Sequence, residues 1–135
     1  MIEYHYLDDI ESAEYKALLE EYYGNQWHSR YERVLWYKKH TELNILVATD
    51  NGKIVGQSSV YKDTAIVKGK PEIIWWSVDT FVLKSERGKG IGKALQAKLH
   101  QDFNAISSIW YSRANGIIKI KCGAKQILQR KQCYY

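Results

Sequence analysis

The sequence has few cysteines, few prolines and no long apolar run, and each shortage excludes a class of protein. Cys122 and Cys133 are the two cysteines and do not form a CxxC pair, so reduced thiols in a cytoplasmic protein are expected. No apolar run exceeds four residues, whereas a bilayer-spanning helix needs about 20, so no membrane partner is expected. Met1–Tyr6 carries an acid in place of a basic segment, and we therefore expect no secretory signal.

Linkers and metal motifs are also missing. Pro71 is the single proline, and no Pro/Gly/Ser-rich stretch or internal repeat divides the chain. The 135 residues, of which 45% are hydrophobic, suffice for one core, so a single domain over residues 1–135 is predicted. No His, Cys or acidic cluster has metal-ligand spacing, so no metal is expected.

Charge is distributed unevenly along the chain. Residues 1–83 hold nine Lys/Arg and thirteen Asp/Glu, a net charge of −4. Residues 84–135 hold eleven Lys/Arg and two acids, Glu86 and Asp102, a net charge of +9. This asymmetry indicates that the C-terminal half meets an anionic partner, for which nucleic acid, a membrane surface and a phosphorylated cofactor all fit. A merely solvated basic face remains an alternative.

Periodicity and turn signals predict an α+β fold, a mixed, mostly antiparallel central sheet flanked by helices. Asp8 and Asp9 are predicted to cap a first helix closed by Gly24, and a capping box at Ser29–Glu32 to open a second. Asn51-Gly52 predicts a hairpin turn. Strands are predicted over the following segments: 1–7, 44–49, 53–61, 64–68, 72–83, 106–112 and 126–135. The intervening segments 91–103 and 114–121 are predicted to be helical.

The strand predicted over residues 72–83 has two different faces. Strict alternation puts one set of side chains on an almost wholly apolar face: Ile74, Trp76, Val78, Thr80 and Val82. The other face receives the polar exceptions Ser77 and Asp79 together with Ile73, Trp75 and Phe81. The strand leads into a glycine-rich turn and then an amphipathic helix.

The glycine-rich turn predicts a phosphate site. Gly88, Gly90 and Gly92 let the backbone bend and let a ligand approach its amides, and the helix that follows adds unpaired N–H groups. Arg87, Lys89 and Lys93 place cations beside them. Neither the Walker A motif nor the dinucleotide-binding fingerprint fits the spacing of these glycines. The remaining pattern is Arg-x-x-Gly-x-Gly, formed by Arg87, Gly90 and Gly92.

The segment Phe81–Leu95, FVLKSERGKGIGKAL, resembles the fourth strand, pyrophosphate loop and third helix of the GNAT acyltransferase superfamily. The resemblance implies binding of acetyl-CoA as co-substrate and acetyl transfer to an amine. It implies that the turn, with Arg87, Gly88, Lys89, Gly90, Ile91, Gly92 and Lys93, binds the pyrophosphate. It further implies that Phe81, Val82 and Leu83 pair with the pantetheine arm, that the Val82 amide faces the thioester carbonyl, and that Asn115 contacts the cofactor.

Catalytic groups are less well marked. Aminolysis of a thioester needs a proton acceptor and relief of the leaving thiolate. Asp79 is the predicted base or amine-binding group, and a hydrogen-bonded structural carboxylate is the alternative interpretation. The helix tyrosine usual in the family is replaced by Lys119, so Tyr111 is predicted as proton donor, with Tyr134 and Tyr135 as alternatives. Residues 20–40, rich in aromatic residues and Glu, are predicted to form the acceptor side.

Three functions stay open from the sequence. The first is an acetyl-CoA-dependent N-acetyltransferase acting on a small-molecule or peptide amine. The second is a non-catalytic acyl-CoA-binding or regulatory module. The third, a nucleic-acid-binding domain, has charge as its only support, so no nucleic-acid partner is expected. About ten residues follow Lys125, so the C-terminal end of the sheet is expected to be shortened, or completed by a neighbouring chain in a homodimer.

Overall fold

The structure is a computed structural model that describes residues 1–104 and 106–107. In this part of the chain, five strands and three α-helices alternate in an α+β order. Their bounds in chain order are β1 Ile2–Tyr6, α1 Ala13–Tyr23, α2 Trp27–His40, β2 Leu43–Asp50, β3 Lys53–Val67, β4 Lys70–Val82, α3 Ile91–Asp102 and β5 Ile106–Ser107. Short 3₁₀ turns occupy Gly24–Gln26 and Lys84–Glu86. The helix and strand predicted beyond residue 112 lie outside the described residues.

Both predicted helix starts in the first third of the chain are wrong, while the predicted stop at Gly24 is confirmed. Ser12 caps α1 by accepting a 3.2 Å hydrogen bond from the Tyr15 amide. Asp9 instead accepts a 2.9 Å bond from the Glu11 amide, which builds the preceding turn. Ser29 lies inside α2, and its hydroxyl donates to the Gln26 carbonyl at 2.9 Å.

The sheet has the strand order β1-β2-β3-β4-β5, antiparallel from β1 to β4 and parallel between β4 and β5. The predicted mixed, mostly antiparallel sheet is thus confirmed. Asn51 and Gly52 turn β2 into β3 with φ of 52° and 84°, as the hairpin signal required. The strands predicted separately over 53–61 and 64–68 are one continuous strand, β3, which pairs with β4 from Gly56 to Val67.

The core lies on both faces of the sheet. Tyr15, Leu18 and Leu19 of α1 are buried, as are Leu95 and Leu99 of α3. Neighbouring residues of a strand point to opposite faces. On β4, Phe81 packs against α1, whereas Thr80 belongs to a network with α3, so the two helices cover opposite faces.

No helix within residues 1–104 combines the length and the apolar character that a bilayer crossing requires.

Candidate functional site

A β-bulge near the end of β4 shapes the site. Gln57 of β3 pairs with Phe81 and Ser59 pairs with Val78, so Ser58 faces two residues, Asp79 and Thr80. Asp79 has a φ of +50°, which is unusual for a residue other than glycine. The extra residue shifts the alternation by one, and Val78 and Phe81 therefore share a face. The strict two-face pattern predicted for this strand is wrong from Asp79 onwards.

Thr80 faces α3 and joins a buried polar network. The Ser58 and Thr80 hydroxyl oxygens are 2.8 Å apart, and Gln96 Nε2 of α3 donates to Ser58 Oγ at 3.0 Å. Ser58 and Gln96 are both buried, at 0% and 1% exposure. Because buried polar atoms are costly unless they are paired, this network fixes α3 against the bulged part of the sheet.

Asp79 faces the opposite way, towards α2. Its carboxylate accepts a hydrogen bond from Arg33 Nη2 in an ion pair, and its carbonyl accepts a 2.8 Å bond from Gln57 Nε2. The Asp79 side chain is 13% exposed and that of Arg33 is 41% exposed. Burial raises the pKa of Asp79 above its ordinary value, and the Arg33 and Arg30 guanidinium groups act against that rise.

Two tyrosines of α1, Tyr15 and Tyr23, lie near enough to this carboxylate to be affected by its charge. Tyr15 is fully buried, and its pKa is raised by burial and by the negative charge of Asp79. The pKa of Tyr23 is raised to about 12, again mainly by burial and then by Asp79. The Tyr22 ring stacks on Phe81 with centroids 3.9 Å apart, and Tyr23 meets Phe81 edge-on at 5.4 Å. The Tyr15 and Tyr23 phenols therefore stay neutral at ordinary pH.

The end of β4 turns backbone groups of Val82 away from β3. The Leu83 amide donates to the Val55 carbonyl at 2.9 Å, and Val82 pairs with Gly56. In antiparallel geometry this makes Val82 and Gly56 a non-hydrogen-bonded pair, so the Val82 amide and carbonyl face outward. The side chain of Arg87 donates to the Val82 carbonyl at 3.2 Å. Within the described residues, β5 pairs with Trp75 and Trp76 and leaves this end of β4 open.

The glycine-rich turn presents open backbone. Gly88 and Gly90 have φ of 87° and 78°, and a Cβ added at either would meet no atom within 4 Å among the described residues. Protein packing therefore does not demand glycine here, whereas the left-handed backbone does. Gly90 caps α3 without a side chain, so the amides of Ile91, Gly92 and Lys93 have no acceptor within the helix.

The side chains of the turn divide into two groups. Ile91 is 2% exposed and packs in the core, so its backbone alone is available to a ligand. Arg87 and Lys93 are exposed, and Lys89 donates to Glu86 at 2.6 Å. A cleft of about 890 Å³ adjoins the turn and is lined by Glu21, Tyr22, Leu83, Lys84, Ser85 and Arg87.

An open turn that leads into a helix, next to an outward-facing strand end, suits a phosphate-bearing thioester. Residues 12–109 match the Acetyltransferase (GNAT) family. The chain belongs to that family. Acetyl-CoA-dependent acetyl transfer is the activity class of GNAT proteins, so the expected family and activity class are confirmed. No curated protein sequence matches the chain.

Solved acetyltransferase structures are similar to this chain in fold. An acetyltransferase from Trypanosoma brucei is 17% identical with a TM-score of 0.74, and the match covers 100% of both chains. A ribosomal-protein-alanine N-acetyltransferase from Brucella melitensis is 18% identical with a TM-score of 0.73, covering 100% of this chain and 99% of that one. A predicted acetyltransferase from Clostridium acetobutylicum, solved with acetyl-CoA, is 12% identical with a TM-score of 0.74, covering 99% and 96%.

The structure brings most of the sequence-predicted residues to one end of β4. Phe81, Val82 and Leu83 lie beside the 87–93 turn, and Asp79 lies at the bulge, two residues before Phe81. Tyr111 and Asn115 lie outside the described residues. Within residues 1–104 and 106–107, no three His, Cys, Asp or Glu side chains are placed to hold a metal ion.

Two arginines of α2 were not recognised from the sequence. The acids predicted for the acceptor side, Glu20, Glu21 and Glu32, are exposed, and Glu21 pairs with Lys53 at 3.3 Å. Arg30 and Arg33 act on Asp79 instead. Their spacing of three along a helix was the available signal, because it puts both on one face.

Proposed function

We propose that this GNAT protein transfers the acetyl group of acetyl-CoA directly to the primary amine of an acceptor. One observation carries the proposal. Gly88 and Gly90 hold a left-handed backbone with open space where a Cβ would lie, at the start of α3 and beside the outward-facing Val82 backbone. Such a turn admits a pyrophosphate to its amides, while the adjacent strand end can pair with an extended arm.

The turn and strand end would bind the co-substrate with separate groups. The amides of Gly88, Lys89, Gly90, Ile91 and Gly92 would face the pyrophosphate, with Arg87 and Lys93 supplying positive charge. Phe81 to Leu83 would pair with the pantetheine arm. The Val82 amide would then donate to the thioester carbonyl, where negative charge grows during attack. The Clostridium structure solved with acetyl-CoA supports the choice of co-substrate, and Asn115 is kept as a further proposed contact.

The reaction of the acceptor amine is proposed to take place beside Asp79 at the bulge. Acetyl-CoA supplies an acyl carbon, which bonds to the acceptor nitrogen as the carbon–sulfur bond breaks and the thiol leaves with a proton. Asp79 would accept the proton lost by the amine, or hold the amine in place, because burial raises the pKa of its carboxyl. Tyr111 is the proposed donor to the leaving sulfur.

A second candidate is a non-catalytic acyl-CoA-binding or regulatory module. The ion pair between Asp79 and Arg33 favours it, because a carboxylate already bound to a guanidinium is a weaker base.

Calorimetry followed by a turnover assay separates the two candidates. We expect acetyl-CoA to bind and thiol release to rise above background with at least one amine of a varied panel. Binding without turnover for any amine would favour the regulatory module, and no binding at millimolar acetyl-CoA would exclude both. The cytoplasmic location, the single domain, the lack of nucleic-acid binding and a homodimer stay predictions.

A further inference from the structure

More positive than negative charge lies around the bulge at Asp79, because two arginines of α2 are close to this one carboxylate. Arg30 and Arg33, one helical turn apart on α2, both act electrostatically on Asp79 and on Tyr23. Arg33 forms the ion pair with the Asp79 carboxylate. The Arg30 guanidinium lies over the Tyr23 ring, 5.0 Å from its centroid. Two guanidinium groups thus face one carboxylate in a partly buried setting.

This surplus is not offset by other acids in the described residues. Within residues 1–104 and 106–107, Arg30 forms no ion pair. The Nε of Arg33 is buried and has no hydrogen-bond partner there. A buried donor without a partner is costly, so an acceptor atom that reached it would be bound favourably. Among the described residues, the Arg30 guanidinium is therefore unpaired with any acid, and the 41% exposed Arg33 side chain retains one N–H donor without an acceptor.

These donors lie close to the proposed transfer site. The Tyr23 ring, which carries Arg30 on one side, meets the Phe81 ring at 5.4 Å. Phe81 belongs to the strand end proposed for the pantetheine arm, and Asp79 lies two residues before it. An amine at Asp79 would have the guanidinium groups of α2 within the reach of a short substituent.

We propose, resting on the proposed acetyl transfer, that the acceptor is a small amine carrying an anionic oxygen group, a carboxylate or a phosphate, held by Arg30 and Arg33. Planar guanidinium groups bind both groups through paired charge-assisted hydrogen bonds. In this arrangement Asp79 faces the amine while the two arginines face the anionic end. The acceptor is therefore zwitterionic before reaction and loses its positive charge on acetylation.

The test uses product analogues, so that it does not depend on turnover. Binding of N-acetylglycine and of N-acetylglycinamide is measured by calorimetry, with CoA present and absent. N-acetyl-O-phosphoethanolamine against N-acetylethanolamine forms the phosphate arm. We expect the wild-type protein to favour at least one anionic member by about tenfold or more. The better anionic arm identifies carboxylate or phosphate as the preferred group.

Two variants localise the preference. Arg30→Gln is expected to remove it, leaving the neutral analogues unchanged, while Lys38→Gln, an equal charge change at an exposed position of α2, is expected to keep it. Equal binding of the anionic and the neutral analogue in both arms, no binding of any analogue, or an unchanged preference in Arg30→Gln would overturn the inference. If CoA fails to bind but the preference persists, the anion site stands and the transfer proposal fails.

Discussion

Gly90 and Gly52, two of the five glycines with positive φ among the described residues, allow the proposed phosphate site to be tested separately from folding. Gly90 begins α3 with a φ of 78°, and Gly52 turns the β2–β3 hairpin with a φ of 84°. Neither would bring a Cβ within 4 Å of a described atom. An alanine therefore introduces a similar backbone strain at both positions, and the proposed ligand contact at Gly90 distinguishes them.

The expected stability cost follows from the backbone alone. A left-handed conformation costs an L-residue about 1–2 kcal/mol, and the stiffer unfolded chain returns about 0.4–1 kcal/mol. Gly90→Ala and Gly52→Ala should each lower the unfolding free energy by about 1 kcal/mol, which for this chain length corresponds to about 4 °C in Tm. Urea titration of both variants measures this cost.

Cofactor affinity should separate the two variants. At Gly90 the new methyl group would occupy space proposed for the pyrophosphate, so acetyl-CoA affinity should fall by about tenfold or more, or about 1.4 kcal/mol. Gly52→Ala should bind as the wild type does, and Gly90→Glu should abolish binding while the fold is kept. Equal affinity of Gly90→Ala and Gly52→Ala by calorimetry would refute the assignment of the turn.

Three further outcomes follow from the site. Arg87→Met should weaken acetyl-CoA binding by about tenfold, with little change in the urea midpoint because the side chain is exposed. Lys84→Met, at another exposed cation of the cleft, is the comparison, and equal losses of affinity would indicate general charge attraction. Burial raises the pKa of Asp79, so wild-type kcat/KM should rise with pH through a value above the ordinary carboxyl range. Asp79→Asn should remove this acidic limb of the pH profile, and an unchanged limb would exclude Asp79 as the base. Gln96→Leu should lower the unfolding free energy, measured in urea, by about 1–3 kcal/mol, because Ser58 and Thr80 lose a buried donor. Gln101→Leu, at an exposed position, should change it little, and equal effects of the two variants would show that the network is not stabilising.

Much of the fold follows from short-range sequence signals. Asn51-Gly52 predicts a hairpin, Gly24 ends a helix, and β-rich runs on either side of the turn mark β2 and β3, because each depends on the preferences of a few neighbouring residues. The helix starts were misplaced because several residues compete to cap. Asp9 and Ser29 have suitable side chains, but each bonds to a neighbouring turn instead.

The same short-range signals predict only one part of the candidate site. The glycine turn depends on local backbone and could be located from Gly88 and Gly90. The ion pair of Arg33 with Asp79 joins residues far apart in sequence and requires the bulge, which alternation cannot reveal. A polar residue such as Asp79 near a strand end is compatible with several structures, and no local rule assigns it a positive φ.

The bulge links the two halves of the proposed reaction. One extra residue opposite Ser58 turns Asp79 towards α1 and α2 and leaves Thr80 facing α3. The same shift places Phe81 under Tyr22 and makes Val82 a non-hydrogen-bonded partner of Gly56, so that the Val82 amide faces away from β3. Without the bulge, regular alternation would move Phe81 and Val82 each to the face opposite its present one. It would also turn Asp79 away from Arg33. The acceptor groups and the strand end that would hold the thioester are therefore positioned by a single backbone irregularity, which the buried Gln96 network holds in place.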